Sequence, residues 1–426
     1  MDGVTGASFG GVAQSAFGVL ALVALAWMIG RAPKGVPWRA VGIGIVIQVV
    51  IALILLKLPP VQAVFVWINQ AVSALVAATK AGTSVVFGYL GGGAAPFEAT
   101  NPANSFVLAF QGLPLILVVG AIAGLLYHWG VIPFFVRAFS RLLRRTMGIG
   151  GAVGVSTAAN VFVGMVEAPL FVRPYLARLS NPELFMVMTA GLATLAGNMM
   201  VLYAAFLTGT VEDPIGQLLT ASLISAPAAL VVAMVMMPPV AGARAVDDDA
   251  TAPPSDAATS LEAAVMGVIN GVNLLISVVA MLIAGIALAA LANMILGLAG
   301  DVWGAPLTLE RMLGWIMAPV AWAMGMSWPE ALAAGPLLGT KVVINELVAY
   351  LQFTADPSAF SPRARLILTY ALGSFANIGS LGIMIGGMVA MVPERRTDIV
   401  RLAPLSLVSG TIATCMTGAV VGLVVW

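Results

Sequence analysis

Long apolar runs recur along this chain from close to its first residue to its last. Runs of sufficient length to cross a bilayer core of about 30 Å occupy eight segments, namely residues 13–30, 40–57, 106–129, 183–207, 216–238, 262–296, 364–391 and 404–425. Charged residues make up only 9% of the chain, whereas soluble domains contain about 25%. The sequence therefore predicts an all-α polytopic membrane protein with eight crossings.

The basic residues predict how these crossings are oriented. Eight crossings place both termini on the same side of the membrane. If that side is the outer one, thirteen of the 19 Lys and Arg residues lie on inner loops, as the positive-inside rule requires. The basic residues are spread among the loops and form no single basic face, so nothing in the chain predicts a nucleic-acid partner.

Four further segments contain apolar residues but do not need to cross the membrane. Residues 131–147 combine large apolar side chains with four arginines, which is typical of a helix in the membrane interface, and residues 308–325 resemble its outer counterpart. Each is followed by a segment, 149–178 or 327–353, with a carboxylate and helix breakers near its middle. We expect re-entrant hairpins there, because irregular backbone at membrane depth requires cover by protein or water.

These parts occur twice in the same order, once over residues 106–238 and once over residues 262–426. Each unit has three crossings, so the two copies must be inverted relative to each other. Residues 1–105 then supply N-terminal scaffold crossings and an outer segment, and residues 239–261 a cytoplasmic linker. Inverted repeats with broken helices are frequent in secondary transporters, which favours a carrier.

Glu167 and Glu346 are carboxylates within the two predicted hairpins. A charged group at bilayer depth costs roughly 2.5 kcal/mol or more, so it usually lines a cavity or a solute path. A structural alternative is a buried pair with Lys341 or with backbone N–H groups. No paired aspartates or Ser/His set lies in the crossings, which argues against an enzyme, and one carboxylate in each hairpin suits an occludable site better than a pore.

Five blocks of sequence identify a family. They occupy residues 110–114, 158–174, 191–197, 345–350 and 375–380. Through them the chain resembles the concentrative nucleoside transporters, most closely their short bacterial members with eight crossings. The resemblance implies a homotrimer in a bacterial inner membrane, in contact with lipid. It also implies symport of a nucleoside with sodium into the cell by an elevator-type alternating-access mechanism.

The resemblance also implies a set of substrate residues. Glu346, Asn377 and Ser380 would hold the ribose, Phe375 would pack against the ligand, and Glu167 would act near the base. This agrees with the chemistry of a nucleoside, whose hydroxyls need strong acceptors and whose flat base needs an apolar slot.

A sodium site follows from the same resemblance. Its ligands would be the Asn160 side chain, the Val163 carbonyl, the Thr194 hydroxyl and the Leu195 carbonyl. Sodium needs oxygen ligands, and broken helices supply them. Proton-coupled nucleoside symport remains an alternative.

The chain departs from the family in the base pocket. Met165 and Val166 stand where familiar members have Gln and Thr, and Met199 stands where a smaller side chain can occur. A pocket without those two polar groups discriminates bases less strongly, because strong rejection comes from leaving buried polar groups unpaired. We therefore expect an altered base preference, with another nucleoside-like or nucleobase solute as the alternative substrate.

Overall fold

The computed structural model describes residues 9–98, 106–239, 255–298, 300–302 and 304–425. These residues form helices almost throughout, with one short antiparallel pair of strands, β1 (Asp301–Val302) and β2 (Ala305–Pro306). The protein is therefore mostly helical. Most of the linker expected at 239–261 lies outside the described residues.

Eight helical segments in the described part of the chain are long and apolar enough to cross a membrane. Seven agree with predicted crossings. The eighth, Pro59–Gly91, was not expected, and the predicted crossing at 364–391 consists of two shorter helices. If Pro59–Gly91 and residues 364–391 both cross the membrane, the chain makes nine passes and its two termini lie on opposite sides. The number of crossings and their orientation therefore stay predictions.

The first part of the chain contains the helices that precede the first hairpin. They are α1 (Phe9–Ile29), α2 (Trp38–Lys57), α3 (Pro59–Phe87), α4 (Leu115–His128) and α5 (Val131–Met147). Helix α5 coincides with the predicted interfacial segment and lies between Gly130 and Gly148, which both have positive φ and so reverse the chain.

The first hairpin segment, here called hairpin 1, and the elements after it follow without long connections. They are α6 (Gly151–Asn160), α7 (Glu167–Leu170), α8 (Arg173–Leu176), α9 (Asn181–Ala193), α10 (Gly197–Leu207) and α11 (Pro214–Met236). Hairpin 1 comprises α6 to α8. Helices α9 and α10 are one helix broken at residues 194–196, where Thr194 and Ala196 have extended backbone.

The second half repeats this order. Its helices are α12 (Ser260–Gly297), α13 (Leu309–Ala323), α14 (Trp328–Val343), α15 (Glu346–Ala355), α16 (Pro362–Leu372), α17 (Ile378–Met391) and α18 (Arg396–Val424). Hairpin 2 comprises α14 and α15, and α16 and α17 form a second broken helix. The helices follow the same order in both halves, whereas the inversion of one half relative to the other and the re-entrant course of the hairpins through a membrane stay predictions.

Side-chain caps begin the broken helices. Ser180 and Glu183 form a capping box at α9, with the Ser180 N–H donating to the Glu183 carboxylate at 2.9 Å, and Ser361 caps α16. At the break before α17, Asn377 accepts a hydrogen bond from the backbone of Ser380. Side-chain caps therefore mark the start of three of the four half-helices, whereas α10 begins without one.

Helices α4 and α12 pack so closely that only glycine fits between them. A Cβ on Gly267 would lie 2.2 Å from the Gly120 carbonyl oxygen, and one on Gly124 would lie 2.4 Å from the Ala263 carbonyl oxygen. Both helices carry two glycines four positions apart, the small-residue pattern of close transmembrane pairs. Along the rest of α12 most large apolar side chains are exposed.

Candidate functional site

The carboxylate of Glu346 is buried, and both of its oxygens accept hydrogen bonds. The Tyr203 hydroxyl, from α10, donates to Oε1 at 2.6 Å, and the Asn377 amide, at the start of α17, donates to Oε2 at 2.8 Å. Glu346 itself is the first residue of α15 and is 3% exposed. Hairpin 2 and both broken helices therefore converge on one carboxylate.

Two helix caps hold these side chains in place. The Asn345 side-chain oxygen accepts from the Val348 N–H at 3.0 Å, and the Asn377 side-chain oxygen accepts from the Ser380 N–H at 2.6 Å. Asn377 thus uses its oxygen for the cap and its nitrogen for Glu346. This division fixes the orientation of its amide, and the buried Ser380 lies within one helical turn of Asn377.

Lys341 is buried in α14, five positions before Glu346. Its Nζ donates to the Thr414 hydroxyl of α18 at 3.1 Å, and no ion pair within 4.0 Å joins it to a carboxylate of the described residues. A direct Lys341–Glu346 salt bridge, one of the structural alternatives, is therefore not the arrangement found.

A second buried cluster joins hairpin 1 to the break in the first broken helix. The Asn160 amide donates to the carbonyls of Ala190 at 2.9 Å and Gly191 at 3.2 Å, and to the Thr194 hydroxyl. The Asn160 side-chain oxygen is buried and has no hydrogen-bond partner among the described residues. An unpaired buried oxygen is costly unless something else binds it, and a cation would do so.

The other proposed ion ligands flank this cluster. Leu195 exchanges two hydrogen bonds of 3.2 Å with Ser222 of α11, so its carbonyl accepts one bond and keeps one lone pair. Val163 lies three residues after Asn160, its N–H bonded to the Ala159 carbonyl at 3.0 Å. The four candidate ion residues are thus close in the chain or in contact, with Ser222 as an additional neighbour.

The two clusters lie side by side. The Phe375 N–H, in the second break, donates to the Thr194 carbonyl, in the first break, at 3.4 Å. Phe375 is itself 8% exposed. The two broken helices therefore touch at their breaks, which places the candidate ion residues next to the element that carries Asn377.

The candidate base-pocket residues of hairpin 1 pack between α9 and α17. A Cβ on Gly191 of α9 would lie 3.4 Å from the Cβ of Met165, and one on Gly387 of α17 would lie 2.8 Å from a methyl group of Val166. Met165 is 8% exposed, and Val166 is half-buried. Hairpin 1 therefore presents two apolar side chains to both halves of the repeat.

Glu167 follows a glycine turn. Gly164 has φ +113°, and a Cβ there would lie 2.8 Å from Oε2 of Glu167, so only glycine allows the chain to fold back on this carboxylate. The backbone N–H groups of Val166 and Glu167 lie near this carboxylate, as in the structural alternative. Glu167 is nevertheless half-buried only. It therefore retains surface from which it could reach a ligand or water.

Sequence reasoning missed Tyr203, although the chain contained a signal for it. Met199 was assigned to the pocket, and Tyr203 lies four residues later on the same helix face. Both are buried, at 3% and 0% exposure. Ser222 and Thr414 gave no comparable signal, because hydroxyl residues are common in membrane helices and their partners are distant in sequence.

Comparisons with known proteins agree with the motif resemblance. Three family models match in order: "Na+ dependent nucleoside transporter N-terminus" over residues 17–90, "Nucleoside recognition" over residues 109–210, and "Na+ dependent nucleoside transporter C-terminus" over residues 217–422. The transporter YutK of Bacillus subtilis is 35% identical over 408 residues, which covers 95% of this chain and 98% of YutK.

This chain is also similar to a human carrier and to a protein of known structure. Solute carrier family 28 member 3 of Homo sapiens is 32% identical, and the match covers 95% of this chain and 59% of the human protein. The structure of CNTnw in an inward-facing substrate-bound state superimposes with a TM-score of 0.84 at 33% identity, covering 97% of this chain and 98% of CNTnw. In sequence and in fold, this chain is thus similar to known transporters over almost its whole length.

Proposed function

The chain belongs to the sodium-dependent nucleoside transporter family, and from that premise we propose that it imports nucleosides together with sodium. It is a transporter and not an enzyme. The observation that carries the proposal is the buried Glu346 carboxylate held by Asn377. A charged acceptor in a dry site is suited to sugar hydroxyls, which donate strong hydrogen bonds to it.

The sugar would bind to Glu346, Asn377 and Ser380. Glu346 supplies charge, the second N–H of the Asn377 amide can donate to the ligand while the first stays on Glu346, and Ser380 adds a hydroxyl within one turn of Asn377. Phe375, Met199, Met165 and Val166 supply the apolar walls that a flat base requires. Glu167 then lies near the base edge.

Sodium would bind as the co-transported substrate beside Asn160. The unpaired Asn160 oxygen supports this assignment, because an oxygen without a protein partner is available to a cation. The Thr194 hydroxyl and the carbonyls of Val163 and Leu195 would complete the site. The Phe375 N–H donates a hydrogen bond to the Thr194 carbonyl, so a bound ion would stabilise the break between α16 and α17, which contains the sugar-binding residue Asn377. That contact offers a route by which sodium favours substrate binding.

We further infer an elevator-type movement in a homotrimer. Helices α4 and α12 would form the fixed scaffold, since they pack on each other through glycines and α12 leaves most of its apolar surface for neighbours. The hairpins and broken helices would move past it as one body. The protein would lie in the inner membrane of a bacterium, in contact with lipid, with both termini on the outer side.

A second candidate substrate deserves a direct test. Met165 and Val166 favour a pocket with few polar contacts to the base edge. Such a pocket would accept a modified nucleoside or another nucleoside-like solute as readily as uridine. A competition panel of nucleosides and free nucleobases against sodium-driven uptake in proteoliposomes distinguishes these substrates.

The sugar site is tested with Glu346→Gln and Asn377→Ala. Replacing the charged acceptor by a neutral one of the same size should weaken nucleoside affinity about tenfold or more, since such bonds contribute about 1.5–3 kcal/mol. Glu330→Gln is a matched control, because this carboxylate lies at the far end of the same hairpin and bonds to Ser327 and Ser361. Unchanged affinity in both site variants would contradict the assignment.

A further inference from the structure

Tyr203 is a buried tyrosine at the candidate sugar site to which no role has been given. Its side chain has no solvent exposure, and its hydroxyl donates to Oε1 of Glu346 at 2.6 Å. Asn377 occupies Oε2. Each carboxylate oxygen therefore has one fixed donor, and the plane of the carboxylate cannot rotate without breaking one of these bonds.

Tyr203 is itself held rigidly. Its ring packs on that of Tyr350 with a centroid separation of 5.4 Å, and the Tyr350 hydroxyl donates to the Thr369 carbonyl at 2.7 Å. Thr369 lies in the last turn of α16, where the helix break leaves carbonyls without intrahelical partners. Tyr203 is thus anchored through Tyr350 to the second broken helix, while it belongs to the first.

A carboxylate offers about four lone-pair sites. Tyr203 occupies one lone-pair site on Oε1 and Asn377 occupies one on Oε2. One lone-pair site on each oxygen therefore stays available to a ligand. Two adjacent acceptor sites at a fixed separation match two neighbouring hydroxyl groups. The fit depends on the orientation of the carboxylate, and therefore on the bond from Tyr203.

We propose that Tyr203 is a positioning residue that sets the requirement for sugar hydroxyls by orienting the Glu346 carboxylate. The inference rests on the proposed function, because it assumes that Glu346 receives the sugar. Tyr203 acts through Glu346 and does not need to touch the ligand. Removing its hydroxyl should therefore weaken ligands with sugar hydroxyls and spare ligands without them.

The test measures equilibrium binding to purified protein in saturating sodium. The probes are uridine and adenosine, with their 2′,3′-dideoxy forms. Tyr203→Phe keeps the ring and its packing on Tyr350 but removes the donor. We expect about tenfold weaker binding of the ribonucleosides, equivalent to about 1.4 kcal/mol, and less than twofold change for the dideoxy forms. In a Glu346→Gln background the same substitution should have little further effect on ribonucleoside binding.

Tyr370→Phe is the matched control, since Tyr370 is equally buried but donates to Gln217 and has no contact with Glu346. It should leave the ratio of ribonucleoside to dideoxynucleoside affinity unchanged. Equal losses for both ligand types in Tyr203→Phe, or no loss for either, would overturn the proposal. Failure of the proposed function looks different, because the wild-type protein would then bind none of the four probes.

If Tyr203→Phe does not fold, Tyr350→Phe removes the hydrogen bond that anchors the ring packed on Tyr203, leaves Glu346 intact, and should lower the ratio of ribonucleoside to dideoxynucleoside affinity.

Discussion

Two neighbouring apolar side chains, Met165 and Val166, line the proposed base pocket. Met165 and Val166 pack against α9 and α17 and offer no hydrogen bond to a base. Ligands that differ only at the base edge should therefore differ little in affinity, by about 1–3 kcal/mol at most. Met165→Gln combined with Val166→Thr should increase discrimination among bases, as measured by competition between nucleosides for uptake.

Sugar and sodium dependence serve as internal controls for that double variant and should not change. A wild-type protein that already separates uridine from other nucleosides several hundredfold would contradict this view of the pocket. So would a double variant with an unaltered base profile.

The sodium requirement is tested at Asn160. Asn160→Ala removes the unpaired oxygen, so the sodium concentration for half-maximal uptake should rise about tenfold, equivalent to about 1.4 kcal/mol. Nucleoside affinity in saturating sodium should change much less. Asn273→Ala, on the exposed face of α12, is a control with the same change of side chain. A normal sodium dependence in Asn160→Ala would exclude this site.

Asp213 provides a prediction about pH outside the membrane-spanning helices. It lies between α10 and α11, and burial raises its pKa from 3.8 to about 6. Well below pH 3.8 the carboxyl is protonated in both states and has no effect. As the pH rises from about 3.8 to about 6, the carboxyl ionises more readily in the unfolded chain than in the folded one, so folding stability falls, and above that range the loss stays constant.

Asp213→Asn should therefore raise the thermal midpoint of the purified protein more at pH 8 than at pH 5. The residue is partly buried, and because solvent screens its charge the gain should be about 1 kcal/mol. Asparagine also accepts the left-handed backbone of this residue, whose φ is +52°. Glu212→Gln, at the exposed neighbour, is the control. A variant whose stability gain is independent of pH would refute the account.

At the scale of elements, sequence patterns predicted where helices lie better than they predicted where helices are broken. Helix α5 was predicted at its observed bounds, because arginines and apolar residues alternate with helical period. Helix α3 was missed, since Gln62, Asn69 and Lys80 interrupt its apolar run. The crossing at 364–391 was predicted as one Gly-interrupted unit, but the length of the extended break could not be derived from local sequence.

The same limit applies to the candidate site. Glu346 and Asn377 could be grouped because each lies in a recognisable motif. The Tyr203 contact joins residues 143 positions apart. Such pairing depends on how the two repeats dock, which no short-range pattern encodes.

The close packing of α4 and α12 gives a prediction at this scale. Gly267→Val would place a Cβ 2.2 Å from the Gly120 carbonyl oxygen and should destabilise the pair by about 1–3 kcal/mol. Gly285→Val on the same helix meets its nearest atom at 4.0 Å and should have little effect. Thermal unfolding of the two purified variants checks this, and similar midpoints would contradict a tight α4–α12 interface.

At the scale of the whole molecule, sodium entry should drive nucleoside uptake. One sodium ion that enters across 100 mV and down a tenfold gradient supplies about 3.7 kcal/mol, enough for about 500-fold accumulation. Neither a pore nor a passive carrier can accumulate its solute in this way. Accumulation of the nucleoside against its own gradient is therefore the property that distinguishes sodium-coupled transport from a pore or a passive carrier.

The most direct test measures uptake of radiolabelled nucleosides into proteoliposomes under an inward sodium gradient. The experiment is repeated with sodium replaced by choline at fixed pH and membrane potential. We predict accumulation above equilibrium with sodium, its loss in choline, and its collapse when a sodium ionophore dissipates the gradient. Equal uptake in sodium and choline would contradict sodium-coupled nucleoside transport by this protein.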